Sequence, residues 1–357
     1  MLYDARPRPQ CSFCKQIGHS YFYCLGRESE PDPSQQCVWT NDLLHSDKYI
    51  FPAPNTPDPV DLDHFFDLFH ATGTQFNKGN PYADSPDPVF RLRSRLGFWK
   101  ALGANKQVLS WLSYGVKNRF FATPPRMEHS NWPDLEKVLK ESPNPNWLTE
   151  ELDRNLKLER LFLVEEHVPA VVHPIGVQVS TKLDGSVKFR KLDDARLCNA
   201  HEASMAHKFE TLDDCASFID AGDDLWGIDL TDFYYQIPLH PSSQPFACFT
   251  PDGSTYYCSR VLLMGMKPAT FWVTKINRPV VAFFRSLKVK CSNYIDDWLG
   301  ADHPDRAEAA RLFMFKVLEA LAWVPHQRSQ ILRFVFALAH PPRYSHRRSS
   351  PAVSHPR

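Results

Sequence analysis

The chain has 357 residues, of which 43% are hydrophobic and 13% aromatic, enough for two or three domains with at least one packed core. Lys plus Arg and Asp plus Glu both number 41, so the net charge is zero and gives no overall indication of a nucleic-acid partner. No apolar run follows Met1, where Asp4, Arg6, Pro7 and Arg8 come early, and no apolar run elsewhere reaches about 18 residues, so neither a signal peptide nor a membrane span is predicted. We expect an intracellular protein, cytoplasmic or nuclear, that is not secreted and binds no membrane.

The nine cysteines fall into two groups. Six are scattered without the regular spacing of a disulfide framework: Cys37, Cys198, Cys215, Cys248, Cys258 and Cys291. This pattern is typical of reduced thiols in an intracellular protein. The other three lie close together near the N-terminus, beside a histidine.

Cys11, Cys14, His19 and Cys24 follow the pattern C-x2-C-x4-H-x4-C. Three thiolates and one imidazole suit tetrahedral Zn²⁺, and a metal replaces the core that so short a segment cannot form. With Gly18 before the histidine, the pattern resembles the retroviral-type CCHC zinc knuckle, which implies binding of single-stranded RNA. Neighbouring aromatic and basic residues suit that role: Phe13, Tyr21, Phe22, Tyr23, Arg6, Arg8, Lys15 and Arg27. The alternative is that the knuckle only folds this terminus or binds a protein.

Hydrophobic periodicity predicts a helical region followed by a strand-rich region. The predicted helices span 60–79, 90–112, 135–139 and 148–164. After Pro169 the pattern changes to short β-type runs, with a hairpin turn at 183–186. The remaining predicted elements are a strand ending near Asp229, a helix over 269–286, a strand pair around 294–300 and a helix over 305–322.

Two segments place carboxylates at the ends of apolar runs. Asp229 follows an apolar strand and precedes an aromatic pair and a second apolar strand, and Asp296 and Asp297 lie between apolar flanks. Phosphoryl transfer to a nucleotide uses two divalent metals, and carboxylate oxygens are the ligands that Mg²⁺ prefers. Alone, however, an Asp pair is most often a solvated turn.

These segments, together with 262–275 between them, resemble the conserved motifs of reverse transcriptases in their order. Tyr294-Ile295-Asp296-Asp297 matches the family's tyrosine-x-Asp-Asp signature. The amino-acid sequence of the motifs is most like that of tyrosine-recombinase-type (DIRS-like) retrotransposons. The resemblance implies an α+β fold: the fingers and palm of a right-hand polymerase, with an antiparallel palm sheet backed by helices. It also implies that Asp229 and Asp296 bridge two Mg²⁺ (or Mn²⁺) ions, with Asp297 in support.

The same resemblance assigns the nucleotide-binding residues. Arg190 takes the position of the basic residue that grips the triphosphate, and Lys182 on the preceding strand is a second candidate. Tyr234 takes the position of the aromatic that excludes a 2′-hydroxyl, which implies deoxynucleoside triphosphates. Gly265 takes the position where the backbone approaches the template–nucleotide pair. Alternatively, Arg190 belongs to an ordinary exposed strand face, and Tyr234 and Tyr235 alternate along a strand.

The sequence departs from the family pattern in two places. Lys267 and Pro268 replace small residues, and after Trp323 the chain runs into a basic, Pro-rich segment where the family has a thumb. We therefore expect the thumb to be missing. The predicted division is a zinc knuckle (1–27), a Pro-rich linker (28–60), a helical connector of unknown role (61–165), fingers and palm (166–323) and a basic, disordered tail (324–357).

Two functions remain open from the sequence. One is an RNA-directed DNA polymerase domain of a retrotransposon polyprotein, acting on an RNA template and a DNA primer. The other is a truncated, catalytically inactive remnant that binds single-stranded nucleic acid through its zinc knuckle.

Overall fold

The computed structural model describes residues 61–326, apart from 86, 129 and 165–168, together with 331–332. The predicted zinc knuckle, the linker 28–60 and most of the tail lie outside the described residues. Within the described ranges, no helix combines the length and apolarity needed to cross a membrane.

Helices dominate the first part of the described chain and recur between the later strands. The α-helices are α1 (Leu62–Asn77), α2 (Leu96–Ala101), α3 (Lys106–Tyr114), α4 (Leu135–Glu141), α5 (Trp147–Lys157), α6 (Arg196–Asn199), α7 (Leu212–Ala216), α8 (Ala269–Ser286) and α9 (Pro304–Ala320). The 3₁₀ helices are Pro88–Arg95, Phe233–Gln236 and Pro241–Phe246.

The strands form three sheets. They are β1 (Met127–Glu128), β2 (Leu161–Val164), β3 (Val171–His173), β4 (Ile175–Thr181), β5 (Val187–Asp193), β6 (Asp224–Asp229), β7 (Cys248–Phe249), β8 (Tyr256–Ser259), β9 (Lys290–Tyr294), β10 (Asp297–Asp302) and β11 (Ile331–Leu332). The central sheet has the order β11-β6-β10-β9, and its neighbouring strands are antiparallel. A five-stranded sheet has the order β1-β3-β7-β8-β2, and β4 and β5 form a separate hairpin.

A single hydrophobic core contains the central sheet, the helices that precede it in the sequence and the helices that lie between and after its strands. Buried side chains of α1–α3 belong to the same cluster as those of β6, α8, β10 and α9. Trp99 Nε1 donates to the carbonyl of Leu321 at 3.1 Å, and the Trp99 ring meets Trp323 edge-on at 6.0 Å. The ring centroids of Phe69 in α1 and Phe283 in α8 lie 5.4 Å apart. The segment before residue 117 is thus part of the body that carries the central sheet.

The predicted hairpin at 183–186 and the helix over 269–286 are confirmed. Two predicted helices are wrong in extent. The helix over 90–112 is divided at Gly103, whose φ is +93°. The helix over 148–164 ends at Lys157, because Glu159 is left-handed at φ +53° and Leu161–Val164 instead pair with β8.

The prediction that the scattered cysteines are all reduced is wrong for one pair. Cys248 and Cys258 form a disulfide. They lie directly opposite each other on the antiparallel strands β7 and β8. The pairing depends on the register of β7 and β8, which brings the two thiols together. The spacing of the cysteines in the sequence does not specify that register. Cys198, Cys215 and Cys291 are free.

Candidate active site

Three carboxylates meet at one end of the central sheet. Asp229 ends β6 and lies directly opposite Asp297, the first residue of β10. Asp296 lies in the turn between β9 and β10, and its backbone carbonyl accepts a hydrogen bond from the N–H of Leu230 at 3.2 Å. Antiparallel pairing therefore brings together Asp229 and Asp297, which are far apart in the sequence.

Alternation along the strands decides which side chains face solvent. Trp226 and Ile228 of β6 are buried against the helices, whereas Gly227 and Asp229 face the opposite side. On β10, Trp298 is buried and Asp297 is exposed. Because side chains alternate along a strand, the buried tryptophans fix the face on which the carboxylates lie.

The turn that carries Asp296 is a two-residue hairpin loop. Tyr294 and Asp297 are paired across it, and Ile295 has φ +60°. A β-branched residue rarely adopts this conformation. Asn277 of α8 donates from Nδ2 to the carbonyl of Ile295 at 3.2 Å, and Asn293 donates to the same carbonyl at 3.1 Å. The helix thereby fixes the loop in place.

The carboxylates repel one another. Partial burial raises the pKa of Asp296, and the negative charge of Asp229 raises it further. Burial likewise raises the pKa of Asp297, with Asp296 and Asp229 adding to the effect. Lys188 acts in the opposite direction and lowers the pKa of Asp296. A cation bound between these groups would relieve the repulsion.

The carboxylates do not enclose a metal by themselves. Among the described residues, no group of three or more His, Cys, Asp or Glu side chains is arranged to hold a metal ion. In the same part of the chain, Asp229, Asp296 and Asp297 form no ion pair. The arrangement is an open cluster of hard oxygen donors at a strand end.

The β4–β5 hairpin supplies the basic residues. Lys188 and Arg190 are exposed and lie two residues apart on one face of β5, while Phe189 on the other face stacks on Trp147 at 5.2 Å. The charge of Lys188 lowers the pKa of Asp296, so this residue of the hairpin acts electrostatically on the carboxylate cluster. Lys182 is exposed beside the hairpin turn, where its backbone N–H donates to Ser186.

Sequence reasoning missed Lys188 and did not separate the neighbouring basic residues. Lys191 lies on the face opposite Arg190, where its nearly buried side chain forms an ion pair with Asp193 and covers the ring of Phe249 at 4.1 Å. Period-two alternation alone would have grouped Lys188 with Arg190 and excluded Lys191.

Tyr234 lies in a 3₁₀ turn, so the alternative in which Tyr234 and Tyr235 alternate along a strand is wrong. The turn spans Phe233–Gln236, and Tyr234 and Tyr235 are both partly buried in it. Burial raises the pKa of Tyr234 to about 12, and the charge of Asp296 contributes to the increase. The phenol of Tyr234 therefore stays protonated at neutral pH.

Gly265 lies in the loop before α8 at φ +98°, a conformation that favours glycine. Its carbonyl accepts a hydrogen bond from Asn199 Nδ2 at 2.8 Å, and Asn199 Oδ1 accepts from the backbone N–H of Lys267 at 2.7 Å. Lys267 Nζ donates to the carbonyl of Glu202 at 2.8 Å. The lysine that departs from the family pattern thus ties this loop to the segment after β5.

A cavity of about 690 Å³ opens beside the carboxylates. Asp229, Asp297 and Tyr294 of the central sheet line it, together with Leu212 and Cys215 of α7. The site is therefore accessible from a groove along the exposed face of the sheet.

Fold and site together define an α+β protein with an open carboxylate cluster at the end of an antiparallel sheet and a hairpin with exposed basic residues, of which Lys188 acts on that cluster. The chain is similar to the crystal structure of the prototype foamy virus protease-reverse transcriptase CSH mutant, with a TM-score of 0.48 and 18% identity over 61% of this chain and 28% of that one. It is also similar to the native form of that protein, with a TM-score of 0.46 and 20% identity over 61% of this chain and 28% of that one. A third similar structure is the foamy viral protease-reverse transcriptase in complex with dsDNA, with a TM-score of 0.47 and 19% identity over 62% of this chain and 44% of that one. The chain spans less than half the length of these proteins. No family model matches it, and no curated protein matches it significantly.

Proposed function

We propose that the chain is an RNA-directed DNA polymerase domain of a retrotransposon, with Asp229, Asp296 and Asp297 as its catalytic carboxylates. The observation that carries the proposal is the pairing of Asp229 with Asp297 across β6 and β10, with Asp296 in the adjoining turn. The sequence resemblance suggests nucleotidyl transfer as the reaction. The register of β6 and β10 brings Asp229 and Asp297 together, and this reaction requires neighbouring carboxylates. In this assignment the central sheet with α8 and α9 is the palm, and β4–β5 belongs to the fingers.

The carboxylate cluster fits Mg²⁺ or Mn²⁺ by its chemistry. The donors are hard oxygens; the charge of Asp229 raises the pKa of Asp296, and the charges of Asp296 and Asp229 raise the pKa of Asp297. Mg²⁺ is usually held by one or two carboxylates together with water and substrate phosphates, so an open cluster is the expected form. Asp229 and Asp296 would hold two such ions with support from Asp297. When bound, the ions supply activation of the primer hydroxyl and neutralisation of the triphosphate charge.

The remaining residues position a deoxynucleoside triphosphate and the primer. Arg190, with Lys182 as a second candidate, would bind the triphosphate oxygens, since an arginine fork matches phosphate geometry. Lys188 joins this basic face. Tyr234 would lie under the sugar and exclude a 2′-hydroxyl, and Gly265 would contact the template–nucleotide pair. The groove beside Asp229 would receive the primer 3′ end.

The zinc knuckle of Cys11, Cys14, His19 and Cys24 is the second part of the proposal. Its residues lie outside the described ones, so it depends on the ligand spacing alone. We expect these four residues to bind Zn²⁺ and single-stranded RNA, delivering the template to the polymerase.

Primer extension on an RNA template tests the polymerase. Wild type and the control Asp153→Asn should incorporate deoxynucleotides, while Asp229→Asn and Asp296→Asn should fall to background. Asp153 is an exposed carboxylate of α5, so its variant matches the charge change away from the site. Equal incorporation by wild type and Asp296→Asn would overturn the proposal.

RNA binding separates the polymerase from a binding protein without catalysis. The second reading predicts background incorporation by every variant, together with RNA binding that is lost on Cys14→Ser. The polymerase reading predicts that Asp296→Asn loses incorporation and keeps RNA binding.

A further inference from the structure

A second cavity, of about 510 Å³, lies between α3, the segment 117–123 and the first turn of α8. We call it the α3 groove. None of the carboxylates or nucleotide-binding residues named above lines it. The lining residues that bear on its function are Trp111, Phe120, Phe271, Lys117, Arg119 and Asn118.

The aromatic rings of the α3 groove are held edge to face and are only partly buried. Trp111 meets Phe271 at 6.0 Å with an interplanar angle of 70°, and Phe120 meets Phe246 at 4.7 Å and 62°. In each edge-to-face pair one ring presents its edge to the face of its partner, so the ring that presents its edge keeps its own faces free of that partner. Fixed, partly exposed aromatic rings in a groove are the surfaces on which single-stranded nucleic acids stack their bases.

Two cations stand next to these rings. Lys117 is partly buried and Arg119 is exposed, and in the part of the chain that the structure describes neither forms a salt bridge. Arg119 is held by its backbone, whose N–H donates to Glu202 Oε1 at 2.7 Å, so its side chain remains available. Unpaired cations beside stacking surfaces are suited to the phosphates that join successive bases.

The side-chain oxygen of Asn118 is a further polar atom in the wall of the α3 groove. It lines the groove, is only 8% exposed, and donates from Nδ2 to Glu202 Oε2 at 2.9 Å. Its Oδ1 is buried without a hydrogen-bond partner among the described residues. Buried polar atoms are nearly always paired, so an unpaired acceptor in a cavity wall indicates a missing donor. An N–H group on the Watson–Crick edge of an unpaired nucleobase, such as the N3–H of uracil, is such a donor.

The wall of the α3 groove is connected to the polymerase site through Glu202. Its carboxylate holds Asn118 and the backbone of Arg119, and its carbonyl accepts from Lys267, close to Gly265. Burial raises the pKa of Glu202, while hydrogen bonds from Asn118 and Arg119 oppose the increase. The groove and the Gly265 loop are therefore parts of one hydrogen-bonded unit.

We propose that the α3 groove binds one or two nucleotides of a single-stranded nucleic acid. The base stacks on the aromatic wall and donates to Asn118 Oδ1, and the flanking phosphates contact Lys117 and Arg119. This inference deepens the proposed function and rests on it for the identity of the strand, which is the unpaired template.

Binding of a fluorescein-labelled oligo(U) RNA, followed by anisotropy across a salt series, tests the proposal. All proteins carry Cys14→Ser, so that the knuckle does not contribute. Lys117→Ala/Arg119→Ala should weaken binding at least tenfold and reduce the slope of log K against log salt by about 1.4, at about 0.7 per phosphate contact. Lys137→Ala/Lys140→Ala on exposed positions of α4 removes the same charge elsewhere and should leave both quantities unchanged. An unchanged slope in the groove variant, or an equal loss in the control, overturns the proposal.

Photocrosslinking supplies a readout that does not depend on the stability of a variant. A 4-thiouridine RNA should crosslink to the peptide containing Trp111 or to that containing Phe271, and Trp111→Phe, which keeps a stacking ring, should retain binding. Crosslinks confined to other peptides contradict the site. RNA binding in this assay requires no catalysis, and the control Asp153→Asn should bind RNA like wild type. Failure of primer extension would therefore overturn the polymerase alone, and failure of groove crosslinking would overturn the α3 groove alone.

Discussion

The side-chain amide of Asn277 donates a hydrogen bond to the backbone carbonyl of Ile295, with 3.2 Å between Nδ2 and the oxygen. Asn277 is 1% exposed, and the same nitrogen donates to Oδ1 of Asn293 at 2.9 Å. Helix α8 thereby holds the turn that carries Asp296, in which Ile295 adopts φ +60°. A backbone conformation of this kind persists only where its surroundings hold it.

Replacing Asn277 with leucine should loosen this turn. The change removes the donor and leaves the Ile295 carbonyl and Asn293 Oδ1 without it, which should lower the free energy of unfolding by about 1–3 kcal/mol. Because Asp296 depends on the turn, Mg²⁺-dependent thermal stabilisation and primer extension should fall as well. Urea denaturation and melting curves with and without Mg²⁺ measure the two effects.

Asn155→Leu is the matched control for that variant. Asn155 is 4% exposed and donates to the carbonyl and the carboxylate of Glu151 within its own helix, α5. It should lose similar stability and keep the Mg²⁺ response. A Mg²⁺ response that survives in both variants would show that Asn277 supports the fold without positioning Asp296.

Lys188 should set the acidic limb of the pH–rate profile. Its charge lowers the pKa of Asp296, so Lys188→Ala should raise that pKa and leave more of the carboxyl protonated at low pH. Primer extension should then lose more activity at pH 6 than at pH 8, relative to wild type. Lys182→Ala, on the same hairpin, should leave the shape of the profile unchanged. An identical profile for Lys188→Ala would contradict the role of Lys188.

The parts of the fold and site that could be predicted from sequence are those set by local patterns. The hairpin at 183–186, helix α8 and the approach of Asp229 to Asp297 follow from turn chemistry, periodicity and motif order. The contribution of Lys188 depends on how the β4–β5 hairpin faces the central sheet, which is a long-range relationship. The same holds for Glu202, whose partners Asn118 and Lys267 are distant in sequence. Hydrophobic periodicity carries no information about such packing.

Lys288→Gly should stabilise the protein. Lys288 follows the C-terminal end of α8, is exposed and has φ +60°, and the next residue, Val289, donates its N–H to the carbonyl of Phe284. This is the position after a helix that glycine favours. Glycine removes the strain of the left-handed conformation but gives the unfolded chain more conformational entropy. The net effect should be a rise in the free energy of unfolding of about 0.5–1 kcal/mol.

Lys316→Gly is the comparison for that change. Lys316 lies inside α9, where glycine should lower the free energy of unfolding by about 1 kcal/mol. Urea denaturation of both variants gives the two signs directly. Destabilisation by Lys288→Gly would mean that residue 288 does not adopt the left-handed conformation in solution.

Asp296→Asn should stabilise the metal-free protein at neutral pH while abolishing its activity. Burial and the charge of Asp229 raise the folded-state pKa of Asp296 above its ordinary value. The stability associated with this raised pKa is therefore present below the ordinary carboxyl range and is lost as pH rises through the folded-state pKa. In EDTA at pH 7.5 the variant should melt about 1–3 °C higher, a small effect because solvent screens the charges. The difference should vanish below about pH 4.

Mg²⁺ should reverse this order, since a metal that binds only the folded protein stabilises it. At a hundred times its Kd, the ion should stabilise wild type by about 2.7 kcal/mol and Asp296→Asn by much less. Asp153→Asn should follow wild type in both EDTA and Mg²⁺, because its charge lies outside the cluster. A variant that melts below wild type in EDTA would contradict the repulsion between Asp296 and Asp229. Equal Mg²⁺ stabilisation of wild type and Asp296→Asn would instead contradict the metal site, so the two measurements test the repulsion and its relief separately.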